Sequence, residues 1–193
     1  MIMRMGAQAP RLVGIAVLMG LASAAFAEEP SVSSPGGMGD SELKTEAARM
    51  SLAPHVLAME TSLMGALDQV RALKAQVKVA QNQPNSEFMT QYRAHTRDFQ
   101  GALKTARSHE GDLKTRAGKF PKVAQTEEYR QVAPAMSNVE RLSEQWEKQT
   151  TSTGYWRDNT RVTADLDQLE RRLSQALDKT RGLSSRIDAG TVG

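Results

Sequence analysis

Val56, Met59, Leu63, Ala66, Val70, Leu73, Val77 and Ala80 follow one another at alternating intervals of three and four residues. Side chains at that spacing share one face of an α-helix, so the stretch predicts a long amphipathic helix. Asn82-Gln83-Pro84-Asn85 is a turn signal. After it a second stripe keeps the same rhythm: Phe88, Tyr92, His95, Phe99, Ala102, Ala106, His109 and Leu113. Arg116, Gly118 and Pro121 read as the stop of this second helix.

The second half of the chain repeats the pattern. Thr126 is placed to cap a helix bearing Tyr129, Val132, Met136, Val139, Leu142 and Trp146. Pro134 predicts a kink there, or a restart at the capping-box pair Ser137 and Glu140. Thr150 to Trp156 breaks the rhythm and holds Gly154, which predicts a loop. Asp158 or Asn159 then opens a last helix with Val162, Leu166, Leu169, Leu173, Ala176, Thr180, Leu183 and Ile187, ending at Ala189-Gly190. Upstream of the first stripe, Asp40 is placed to cap a segment carrying Leu43, Ala47 and Met50. Pro54 either kinks one long helix or lies in the first turn of a new one.

Helices joined by short turns pack antiparallel, which fixes the facing layers. In the first hairpin Leu73 is expected to face His95, Ala66 to face Ala102 and Met59 to face His109. In the second, Trp146 faces Val162, Leu142 faces Leu166 and Tyr129 faces Thr180. Leu57, Met64 and Leu67 on the first helix and Leu103 on the second widen the apolar face beyond a two-stranded seam. The predicted fold is therefore all-α: an antiparallel bundle of four helices built from two αα-hairpins. A three-helix arrangement or an elongated, oligomerising coiled-coil hairpin are the alternatives.

The chain begins differently. Residues 1–27 have basic Arg4 and Arg11, an apolar run from Leu12, and small Ala25 and Ala27 around Phe26, the layout of a cleaved secretory signal. Residues 28–39, rich in Pro, Ser and Gly, predict a flexible leader; residues 40–189 form the helical domain, and 190–193 a tail. A periplasmic or secreted location is expected.

Composition narrows the chemistry. Among 193 residues there is no cysteine, which removes thiol catalysis, disulfides and thiolate metal sites. Aromatic residues make up only 5%, which suits a helical bundle better than a large aromatic-packed enzyme core. The formal charge of +3 includes Arg4 and Arg11; without them 23 basic residues face 22 acidic ones, so nothing drives nucleic-acid binding. No nucleophile elbow, phosphate loop or zinc-protease motif occurs, and acidic residues such as Glu127-Glu128 and Asp165 with Asp167 read as solvated helix faces. These features point to a non-enzymatic protein without a cofactor, acting through contacts with another envelope protein or with itself.

The alternative is a periplasmic copper- or haem-binding bundle using His and Met ligands. His95 and His109 fall on the seam, where polar residues commonly fix register. Antiparallel pairing sets His109 opposite Met59, and His55 lies one turn from Met59, so His55, Met59 and His109 are the candidate metal ligands. Imidazole and thioether suit copper and do not suit calcium or magnesium. Tyr155-Trp156 forms an aromatic tip expected to fold back on the bundle end near Trp146. The export signal makes a direct prediction. Mass spectrometry of the exported product should find Glu28 as its first residue, and an intact Met1 start would contradict it.

Overall fold

The structure, a computed structural model, describes residues 40–80, 85–152 and 154–190, with side chains from residue 44 onward, all within the unit Met38–Gly193. The export signal, the leader, the Asp40 cap, the Leu43 side chain, turn residues 82–84 and tail residues 191–193 lie outside the described residues. Helix α1 spans Asp40–Ala80, α2 Ser86–Ala117, α3 Pro121–Ala124, α4 Glu127–Thr150 and α5 Asn159–Asp188, with a 3-10 turn at Tyr155–Arg157. The protein is an all-α bundle of four long helices; the short α3 is a single turn that Pro121 opens, where the sequence predicts only a helix stop. No helix among the described residues is long and apolar enough to cross a membrane.

Side-chain caps start three of the long helices. The Asn85 side-chain oxygen accepts from the Phe88 N–H at 2.7 Å, Thr126 Oγ1 from the Tyr129 N–H at 3.3 Å and Asp158 Oδ1 from the Arg161 N–H at 3.0 Å. Each satisfies one backbone donor that the first helical turn leaves without a partner. After α5, Gly190 takes a left-handed φ of +64°, the conformation in which glycine ends helices.

Both prolines sit inside continuous helices. Ser137 therefore caps nothing, and no helix begins at Ser51. Pro54 and Pro134 are both exposed, as are Met50 and Arg130 four residues earlier, so the carbonyls that lose their partners face water. Continuity through Pro54 also corrects the first segment. The buried phase of Val56 runs straight back to Leu52 and Ala48, while Ala47 and Met50, expected on the inner face, are exposed.

The predicted registers hold to within about a residue. A side chain on Gly65 would begin 4.0 Å from the Ala102 Cβ, next to the expected layer of Ala66 with Ala102. In the second hairpin, a side chain on Gly182 would begin 3.9 Å from the Glu128 Cγ, beside the expected layer of Tyr129 with Thr180. Antiparallel hairpins α1–α2 and α4–α5 then join along α1 and α5. Val56, Met59, Leu63, Val70, Leu73, Phe99, Met136, Val139, Leu166, Leu169 and Leu173 form one core with almost no exposure.

The fourth side is built differently. The α2 and α4 backbones scarcely approach. Large side chains span the gap: Trp146 meets Tyr92 and Phe99 edge-on at ring-centroid distances of 6.0 Å each. Further along, Arg107 of α2 pairs with Glu140 of α4. Edge-to-face rings fill a wide gap that aliphatic side chains would leave void. The Tyr155–Trp156 tip closes the turn end as expected, with Trp156 packed on Tyr92 at 4.1 Å and its Nε1–H donating to the Thr150 carbonyl at 3.1 Å.

The face assignment on α5 predicts a sharp contrast in urea melts. Leu169→Asp, at a fully buried position, should cost about 4 kcal/mol or more, because an unpaired carboxylate enters the core. Arg171→Asp, on the exposed face, should shift stability by less than about 0.5 kcal/mol.

Candidate functional site

Two faces of α1 carry features that packing alone does not require. The first is an apolar edge. Met50, Leu57 and Met64 recur every seven residues and are 72%, 62% and 45% exposed. Leu57 and Met64 were expected inside the bundle; only Leu67 and Leu103 of that set are buried. The physical reason is angular. Burying the Val56 to Val77 stripe against α2 and α5 together leaves the 50–57–64 edge outside both seams.

That edge borders α5 in two shallow grooves. One, of about 480 Å³, is lined by Glu46, Arg49, Met50, Ala53, Leu57 and Asp188 among others. The second, of about 240 Å³, lies between Met64, Leu67 and Arg71 of α1 and Leu177, Asp178 and Arg181 of α5. Arg181 reaches across it, its Nη2 3.6 Å from the Met64 sulfur. Beyond the second groove an ionic clamp ties the two helices. Lys74 Nζ lies 2.5 Å from both Asp167 Oδ1 and Glu170 Oε2, and the Arg71 Nε–H donates to Glu170 Oε1 at 2.9 Å. Hydrogen bonds from Lys74 and Arg71 hold the Glu170 carboxyl below its ordinary range, while Asp167 and Glu170 push the Lys74 ammonium above its own.

The second feature sits where α1 passes the C-terminal half of α2. His55 of α1 and His109 of α2 come together with ring centroids 5.8 Å apart, as the antiparallel pairing implied. Met59 is fully buried in the core. The third donor group the fold brings to the two rings is the carboxylate of Asp112, whose Oδ2 is 3.7 Å from His55 Nδ1 and 4.0 Å from His109 Nδ1. One ring nitrogen from each histidine and one Asp112 oxygen all lie within 4.8 Å of one another. Both Nδ1 atoms are shut off from solvent and lack a hydrogen-bond partner. Burial first, and then the charge of Arg116, lowers the His55 pKa and favours its neutral imidazole. Asp112 stands one turn after His109 on the same helix, a spacing that marks it as a potential co-ligand once the hairpin register is known.

The third histidine, His95, has a structural role. His95 Nδ1 hydrogen-bonds to Gln69 Oε1 at 2.7 Å, one turn from the Leu73 it was expected to face. Comparison with protein-family models, curated proteins and solved structures finds no match to this chain.

The clamp predicts a pH dependence. The depressed Glu170 pKa contributes stability that is complete above the unfolded carboxylate value of about 4.3 and fades as pH falls below it. The raised Lys74 pKa contributes below about 10.4 and fades only in stronger alkali. Glu170→Gln should therefore cost about 1 kcal/mol at neutral pH. Urea melts of the variant and the parent should keep their separation down to about pH 4.3 and converge as the pH falls further.

Proposed function

We propose that this is an exported, non-enzymatic helical-bundle protein that works by contact, receiving an amphipathic helix of an envelope partner along the α1–α5 edge. The observation that carries the reading is the exposed heptad stripe of Met50, Leu57 and Met64. Solvated edges of a bundle normally carry polar side chains, and contiguous exposed apolar residues mark interaction surfaces. A seven-residue repeat is the spacing with which one helix offers holes to the knobs of another. From Met50 to Met64 the stripe runs about 21 Å, roughly four helical turns.

The rim suits a partner of mixed charge. Glu46, Arg49, Asp68, Arg71, Asp178 and Arg181 alternate in sign along the grooves. A second copy fits less well. Antiparallel self-pairing of α1 about Leu57 would set Glu46 of one copy against Asp68 of the other, and like charges across a seam are unfavourable. Methionines at two of the three stripe positions add adaptability, since the unbranched thioether side chain fills irregular gaps.

In-cell photo-crosslinking tests this reading. A photoreactive amino acid in place of Leu57 should give a discrete adduct with another protein, and the same group in place of exposed Arg141 on α4 should not. Met50→Ser with Met64→Ser should abolish the adduct. Equal adducts from both positions, none from position 57, or a product of twice the chain mass would overturn the proposed partner.

A further inference from the structure

We infer that His55, His109 and Asp112 form a binding site for a divalent first-row transition-metal ion, held between the middle of α1 and the C-terminal half of α2. The site is independent of the contact edge. His55 lies five residues after Met50, which turns it about 140° around α1 from the apolar stripe.

Three observations converge. The first is the donor set: two imidazoles and one carboxylate, on neighbouring antiparallel helices, with the nearest donor atoms all within 4.8 Å. The second is spacing. An ion held at about 2.0 to 2.2 Å from each ligand atom sets those atoms about 3 to 4 Å apart. Asp112 Oδ2 stands 3.7 and 4.0 Å from the two Nδ1 atoms, too far for hydrogen bonds and within the span an ion bridges. The third is the unmet polarity. A buried ring nitrogen without a partner costs free energy, and here two such atoms, His55 Nδ1 and His109 Nδ1, lie beside one carboxylate oxygen. One ion coordinated by all three groups removes that cost at both nitrogens together.

Chemistry selects the ion. Two nitrogen donors disfavour magnesium and calcium, which require oxygen ligands. Imidazole with carboxylate suits zinc, nickel and copper(II), and copper(II) binds tightest in the general order of affinities. Two imidazoles with a carboxylate favour copper(II) over copper(I). Three groups converge among the described residues, which leaves coordination positions for water. Asp112 is 54% exposed on its side chain, and so gives the ion a path to solvent.

Copper(II) and zinc(II) titrations of the purified protein test the inference, with electron paramagnetic resonance of the copper form as a second readout. One equivalent per chain should bind, with hyperfine structure from two imidazole nitrogens. His55→Ala and His109→Ala should each weaken binding about tenfold or more, and Asp112→Asn should also weaken it. His95→Ala, which removes a histidine bonded to Gln69, should leave affinity unchanged. His109 and Asp112 are partly exposed, so their variants retain the fold, which circular dichroism verifies, even if His55→Ala does not. Equal affinity in the parent, His109→Ala and Asp112→Asn proteins would overturn the site, as would a loss on His95→Ala matching that on His109→Ala.

Discussion

Everything in this fold depends on α1 burying one stripe against two helices at once. Val56, Leu63, Val70 and Leu73 are almost wholly excluded from water, and α1 packs along both α2 and α5. Neither hairpin alone gives those side chains a complete apolar environment. Their burial, at about 25 cal/mol per Å² of apolar surface, is the main force joining the two halves. The α2–α4 side follows as a consequence. Once α1 and α5 set the spacing of the hairpins, the remaining gap is too wide for leucine. Trp146, Tyr92 and Phe99 fill it, with Trp156 closing the end. The scarce aromatic residues are concentrated where the geometry calls for their size.

That division explains what was legible in the sequence. Four stripes of alternating three- and four-residue spacing report helix faces directly, and the caps at Thr126 and Asp158 are local chemistry. The hairpin registers follow from stripe phase and turn position, so His55 and His109 are rightly brought near each other. What periodicity does not carry is which edge of a wide apolar face a third helix covers. Leu57 and Leu67 look equivalent along the chain, yet one is 62% and the other 6% exposed because α5 docks on one side only. The choice at Pro54 and Pro134 between a continuous helix and a restart turns on a related property. A missing N–H is tolerated within a helix when the orphaned carbonyl faces solvent, and exposure is a tertiary property. Asp112 was hidden among many charged surface residues until the fold set it beside two imidazoles.

The proposed activities use what the core leaves over. One edge of α1 stays apolar and is the proposed contact surface, while His55 and His109 meet through ring nitrogens that lack hydrogen-bond partners. Lys74 and Arg71 bind α5 through Glu170 next to the groove, so the helix pair that frames the contact edge is held in register. Ion pairs that tie the two helices lower the ordering cost of binding, and unbranched methionine side chains on the edge keep adaptability.

Native-state hydrogen exchange tests the central claim, that α1 fuses two hairpins into one cooperative core, most directly. The slowest amides around Val70 in α1, Phe99 in α2, Val139 in α4 and Leu169 in α5 should share one opening free energy, within about 1 kcal/mol, set by global unfolding. A distinctly lower value for α4 and α5 than for α1 and α2 would contradict the account, because the second hairpin would then open on its own.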